Sequence, residues 1–237
     1  MDHIRLSPRL QMVADFVPPC ACAVDIGTDH GYLPVWLLQS GVIQSAIAAD
    51  IHAGPLANAR QSAAAYDLEE RFRFVQADGL QFSGAQAADV ITIAGMGGET
   101  ICTILAAAPW LRQGKRLVLQ PQSKVPELAD WLWHNGFTIE DAALCRDAGK
   151  RYLALRVLGR VAAQSCTVEQ LLLRHRDPLL PEHLKEEIRR QKRARAGMAH
   201  AKQTPEAALA ALDARLSELE TCLKEVQTWR GRIVNSL

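Results

Sequence analysis

Residues 24–34 read VDIGTDHGYLP. A run of small apolar residues ends in two aspartates, two glycines and a histidine, and apolar residues then resume at helical spacing. Acids at the tip of a strand that is otherwise uncharged belong to a loop with a task. Three tasks suit such a loop: a nucleotide-binding turn, a metal site, or a hairpin with polar decoration.

The segments around it point to the fold. CAVDI (22–26), SAIAADI (45–51), FRFV (72–75), DVITIAG (89–95) and RLVLQ (116–120) are short, mostly uncharged inside, and end at Gly, Asp or Pro. Strands buried in a parallel sheet have this pattern. A short amphipathic helix near 5–16 comes first, and helical stretches near 32–40, 54–66, 97–108 and 125–135 alternate with the strands. The alternation predicts right-handed crossovers and a doubly wound sheet. FTIEDAALCRD (137–147) and RYLALRVLGR (151–160) have only AGK between them, and are expected to finish the sheet as an antiparallel pair.

Past residue 160 the strand pattern stops. TVEQLLLRHR (167–176) reads as helix, and a basic stretch follows from about 182 to 203. Thr204 then serves as an N-cap with Pro205 at the first helical position. Leu209, Leu212, Leu216, Leu219, Leu223 and Val226 recur at a spacing of three and four, an apolar seam. Two helices around QTP make an antiparallel hairpin the simplest arrangement, packed within the chain rather than as a zipper between chains. Two domains are expected, 1–160 and 161–237.

Composition narrows the partners. Net charge is only +1, but residues 1–160 carry 14 Lys and Arg against 16 Asp and Glu, and residues 161–237 carry 13 against 10. Residues 185–202, KEEIRRQKRARAGMAHAK, hold seven basic residues and two acids, which suggests a polyanion as the partner of the tail. The polar, charged N-terminus does not read as a secretory signal, and no stretch is long and apolar enough for a membrane span. The six cysteines are scattered with no C-x-x-C pair, so neither a disulfide framework nor a zinc site is expected, and the expected location is a reducing cytoplasm.

The opening stretch falls at the carboxyl end of the first strand, where open α/β sheets bind ligands. Its spacing is D-x-G-x-x-x-G, not the G-x-G-x-x-G of dinucleotide-binding enzymes. Asp25 and Asp29 would repel a diphosphate. A cationic ligand with an amino-acid end suits the turn better, and S-adenosylmethionine is such a ligand. Asp50 closes the second strand, where a carboxylate can take ribose hydroxyls, and Asp78 follows the third, where it can accept from an adenine amino group. Each acid alone could be a helix N-cap; three together are hard to explain that way. AGMGGE (94–99) adds Gly95, Gly97 and Gly98, which let backbone come close to a ligand. A metal site built on Asp25, Asp29 and His30 lacks a fourth ligand, so no metal is expected.

DIGTDHGYLP (25–34), DGL (78–80), AGMGGE (94–99) and LQP (119–121) together resemble the bacterial tRNA (adenine-22-N1)-methyltransferases, the TrmK family. The resemblance runs over residues 5–160 in motif order and spacing, with SPRLQMVADFV (7–17) similar to the family's first helix. It implies a class I S-adenosylmethionine-dependent methyltransferase of Rossmann-like fold: a mostly parallel seven-stranded sheet with an antiparallel C-terminal strand, plus a C-terminal coiled-coil hairpin. Carried over by position, Arg9, Asp25, Gly27, Asp50, Ile51, Asp78, Gly79, Gly95 and Met96 fall in the cofactor site. Asp29 falls in the same cofactor turn, and the chemistry of the reaction makes Asp29, His30 and Tyr32 the candidates to face the target base. Gln120, Pro121 and Gln122 fall on the target side, and Arg189, Arg190, Lys192, Arg193 and Arg195 of the basic helix are expected, from their charge, to grip the tRNA backbone. The chain departs from the family in Gln122, where LQPN is usual, and in Gly31, where DHAYLP is common.

The implied reaction is methylation of adenine N1 at position 22 in the D-arm, with S-adenosylhomocysteine as by-product, by a monomer or weak dimer that engages neither DNA nor membrane. N1 lies on the Watson–Crick edge, so the nucleotide must leave its stack to react. The rival expectations are a methyltransferase acting on another RNA adenine or a small molecule, and an inert methyltransferase-like RNA-binding protein.

Overall fold

The computed structural model describes residues 3–162, 166–199 and 206–234. Two compact units divide the chain, Met1–Cys166 and Thr167–Leu237.

The first unit opens with helix α1 (Pro8–Asp15). It starts later than its amphipathic pattern suggests, because Ser7 caps it and Pro8 occupies the first turn, where no N–H is needed. Strand β1 (Cys20–Ile26), helix α2 (Tyr32–Gln39), strand β2 (Ile43–Asp50), helix α3 (Ala53–Ala65) and strand β3 (Phe72–Gln76) form the first half of the sheet. Strand β4 (Val90–Gly97), helix α4 (Gly98–Ala106), strand β5 (Arg116–Ser123), helix α5 (Val125–His134), and strands β6 (Thr138–Asp147) and β7 (Lys150–Leu158) form the second. The seven strands lie in the order β3-β2-β1-β4-β5-β7-β6. The first five are parallel, and β7 runs antiparallel between β5 and β6. This is the expected doubly wound sheet, with the expected antiparallel pair closing it.

The strand order reverses between β1 and β4, so their carboxyl ends border the crevice where such sheets take ligands. The core beneath it is dry: Val24, Ile91, Ile93, Leu117 and Leu119 are fully buried. Two strands outrun their expected ends. β4 continues through Gly95 to Gly97, and β5 passes Pro121 to reach Ser123. A bulge makes both possible. Ala94 pairs with Gln120 and Met96 with Pro121, so Gly95 is the extra residue, and beyond it Pro121 sits in a ladder already out of regular register.

The second unit holds three helices. Helix α6 (Val168–Arg174) begins in a capping box between Thr167 and Gln170. Helices α7 (Leu180–Ala199) and α8 (Glu206–Val234) run antiparallel, as the ion pairs Lys192–Glu220 and Arg195–Asp213 require. Leu216, Leu219 and Val226 of the seam are buried, as are Leu180, Leu184 and Ile188 of α7. The seam therefore packs within the chain. The expected cap at Thr204 and Pro205 lies outside the described residues. Glu169 of α6 is buried and bonds Arg215 of α8 at 2.7 Å, with His183 of α7 at 3.8 Å. Burial alone would raise its pKa, but His183 and Arg215 outweigh it and hold the carboxyl at about 2. One buried carboxylate thus ties all three helices.

Candidate methyl-donor and RNA sites

Parallel strands bring the ends of β1 to β4 to one edge, and most of the expected site residues stand there. Asp25 is the last polar residue of β1 and is only 7% exposed. Its sheet neighbour on β4 is Thr92, whose Oγ1 lies 2.6 Å from Asp25 Oδ1 and 3.2 Å from Val24 O. Desolvation raises the Asp25 carboxyl from its ordinary 3.8 to about 6 against the pull of the Thr92 hydrogen bond, and the charge on Asp50 adds to the rise. A carboxyl sealed this deeply beside a crevice is a common mark of a working site.

The turn after β1 then bends sharply. Gly27 has φ +72°, a conformation that favours glycine, and a Cβ there would lie 2.3 Å from the Met96 methyl of β4, so that flexible side chain would have to move aside. Gly27 donates to Ala49 O at 2.8 Å, which fixes the turn to β2. Thr28 Oγ1 is buried and makes no well-formed hydrogen bond, but it stands close enough to Asp25 to help Thr92 hold the pKa of that carboxyl down. Asp29 takes the left-handed conformation at φ +49°, uncommon for a residue with a side chain, and its carboxylate is exposed. His30 Nε2 lies 3.8 Å from Asp29 Oδ1, and its ring stacks on Tyr32 at 5.2 Å between centroids. Tyr32 is 42% exposed, so the pair presents a flat aromatic surface at the start of α2.

None of the three strand-end acids is a helix cap. The N-cap of α2 is Gly31, and that of α3 is His52 with no side-chain bond. Asp50 Oδ1 accepts from His52 N at 2.8 Å, leaving its second oxygen outside that turn. Beside it Ile51 is 53% exposed, an apolar side chain left uncovered next to a carboxylate. Asp78 is exposed in the turn that follows β3, with Gly79 next to it at φ +55°. The bland reading of these acids as caps therefore fails at all three positions.

Arg9 joins the site from a distance in sequence. Its Nη1 donates to Gln120 Oε1 at 3.0 Å, and its guanidinium carbon lies 5.6 Å from the Tyr152 ring centroid. The expectations for Gln120 and Pro121 need correction. Both are buried, so neither presents a surface to an RNA, and only Gln122 of the three is exposed. Two residues were missed by sequence reasoning. Thr92 had a signal, a lone hydroxyl inside the apolar run VITIA; Thr28 had none beyond its place in the turn.

The basic residues of α7 divide by partner. Lys192 pairs with Glu220 at 2.7 Å, Arg195 with Asp213, and Arg190 with Glu187 at 2.6 Å. Arg189 and Arg193 instead donate to backbone carbonyls of their own helix, Lys185 O at 3.2 Å and Arg189 O at 3.4 Å. Neither faces a carboxylate partner among the described residues. With Lys185 they recur every fourth position and form one exposed stripe. Among the described residues no three His, Cys, Asp or Glu side chains are grouped as a metal site, and no helix is long and apolar enough to cross a membrane.

Comparison with known proteins agrees with this geometry. A family described as a methyltransferase domain matches residues 6–155. The crystal structure of Streptococcus pneumoniae Sp1610 in complex with S-adenosyl-L-methionine is 30% identical, covers 92% of this chain and 100% of that one, and superposes with a TM-score of 0.74. The tRNA (adenine(22)-N(1))-methyltransferase of Bacillus subtilis is 37% identical over 156 residues, 65% of this chain. The chain belongs to the tRNA (adenine-22-N1)-methyltransferase family. The match spans 66% of the length of that Bacillus protein, just under two thirds. The crystal structure of the Bacillus subtilis TrmK covers 92% of this chain and 99% of its own, at 27% identity and a TM-score of 0.75.

The Asp25 carboxyl makes a measurable prediction. Its folded pKa of about 6 lies above the ordinary 3.8, so between these values the native state holds more protons than the unfolded one. The stability of ligand-free protein therefore falls as pH rises from about 4 to about 6, and the penalty is complete above that. Asp25→Asn keeps the shape without the charge. Denaturation at pH 4 and pH 7.5 should show the variant gaining on the wild type by about 2 kcal/mol across this window. A gap that does not change with pH contradicts the buried carboxylate.

Proposed function

We propose that the protein transfers a methyl group from S-adenosylmethionine to N1 of an adenosine in tRNA, at position 22 of the D-arm. The observation that carries the reading is the turn at Gly27, cleared of side chain against Met96 and flanked by three strand-end acids that cap no helix. The residues present fit the donor. Asp25 is a sealed carboxyl with the hydroxyls of Thr92 and Thr28 beside it, and the Asp50 carboxylate stands next to the uncovered Ile51.

In this reading Asp50 takes the ribose hydroxyls, Ile51 covers one face of the adenine, and Asp78 accepts from its amino group. Asp25, Gly27, Gly79, Gly95, Met96 and Arg9 line the remaining wall. S-adenosylmethionine supplies an electrophilic methyl group on a sulfonium. The adenine N1 lone pair lies in the plane of the base and needs no base to expose it, so the protein's work is alignment more than proton transfer. His30 and Tyr32 offer the flipped base an aromatic surface. Asp29 stands exposed beside them, where a carboxylate stabilises the positive charge that methylation places on the base. Arg189, Arg193 and Lys185 grip the RNA backbone, while Arg190, Lys192 and Arg195 serve the helical hairpin.

Incubation with labelled S-adenosylmethionine and unmodified tRNA, followed by nucleoside analysis and mapping, tests this directly. N1-methyladenosine at position 22 is the expected product; N6-methyladenosine, or no product on tRNA, overturns the assignment. In the same assay Asp29→Ala should lower kcat by about 100-fold, and full activity removes Asp29 from the chemistry.

The division of the basic residues has its own signature. Arg189→Ala with Arg193→Ala should weaken tRNA binding and reduce the slope of log affinity against log salt by about 1.5. Lys192→Ala with Arg195→Ala should lower the melting temperature of the hairpin and leave the slope nearly as it was. Equal slopes in the two double variants contradict the stripe.

A further inference from the structure

The chemistry above leaves one buried polar group without a task. Gln120 has no exposed surface, although it lies at the mouth of the crevice, at the last regular position of β5 before the bulge. Its amide is committed on both sides. Oε1 accepts from Gly95 N at 3.2 Å and from Arg9 Nη1 at 3.0 Å, while Nε2 donates to Pro121 O at 3.0 Å.

Each bond answers a need created by the backbone. The register shift between Ala94 and Met96 removes Gly95 from the regular ladder, and the Gln120 side chain takes up its N–H. Gly95 has φ +79°, and a Cβ there would stand 3.3 Å from Arg9 Nη1, so the guanidinium lies directly against the bulge. The start of α1 is tied down separately, by Arg9 N donating to Asp147 Oδ2 at 3.4 Å. A single oxygen therefore joins residues that stand 111 and 25 positions away in sequence. Glutamine suits the place: glutamate would set an oxygen against Pro121 O, and leucine would leave both donors unmatched.

We propose that Gln120 is a positioning residue for methyl transfer. Its carbonyl oxygen holds the Gly95 bulge and the Arg9 guanidinium in one fixed relation, so that the glycine loop and the first helix meet the methyl donor as a single wall. The proposal rests on the methyl-donor reading of the crevice.

The test compares wild type, Gln120→Leu, Gln120→Glu, Arg9→Ala and the double variant Arg9→Ala/Gln120→Leu, all well below their melting temperatures. Calorimetry with S-adenosylhomocysteine reads the site without turnover. Gln120→Leu should weaken that binding about 10-fold and lower kcat while KM for tRNA holds. Gln120→Glu keeps the acceptor and should recover part of the affinity. Arg9→Ala should also weaken binding, and the double variant should lose much less than the product of the two single losses, because both act through one contact. Losses that multiply, or a Gln120→Leu variant that only melts earlier and binds like wild type, overturn the clamp. Wild-type protein that does not bind S-adenosylhomocysteine overturns the methyl-donor reading instead.

Discussion

The contact between Asp25 and Thr92 across β1 and β4 is the constraint on which the site is built. It places a carboxyl at the point where the strand order reverses, within a layer of fully buried aliphatic side chains. Burial opposes the charge, and the Thr92 hydroxyl offsets only part of that cost. A fold selected for stability alone would put an apolar residue there. The chain nonetheless carries this unfavourable carboxyl at the seam of its sheet, at the edge where the methyl-donor reading seats the cofactor.

From that seam the rest of the edge follows. Gly27 turns with positive φ directly against the Met96 side chain, which fills the space between the first and fourth loops. Gly95 must leave the ladder to make room, and Gln120 takes up the N–H that its departure frees. Sheet register sets the spacing of Asp25 and Asp50, which lie within β1 and β2, whereas Asp29 and Asp78 are placed by the turns that follow the strands.

Much of this was legible in the sequence, and for physical reasons. Buried parallel strands read as short apolar runs, so β1 to β5 stood out, and the acids near the ends of the first three were conspicuous because the runs are mostly uncharged inside. The apolar seam at Leu216, Leu219 and Val226 was equally plain. Strand ends were harder. Pro121 looked like a terminator, but past a bulge its missing N–H costs nothing in the ladder, and β5 runs on to Ser123. The role of Gln120 was out of reach, since a side chain that bonds Arg9 and Gly95 leaves no local pattern. In the basic run of α7 composition counts charges, and only the structure shows that Lys192 and Arg195 pair with α8 while Arg189 and Arg193 donate to their own helix.

The most direct measurement is a crystal structure of the protein with S-adenosylhomocysteine. The ligand should lie over Gly27 at the carboxyl ends of β1 and β4, with its ribose hydroxyls on Asp50, its adenine against Ile51, and the Arg9–Gln120–Gly95 contacts intact. A ligand seated elsewhere, or one whose ribose does not reach Asp50, would contradict the account.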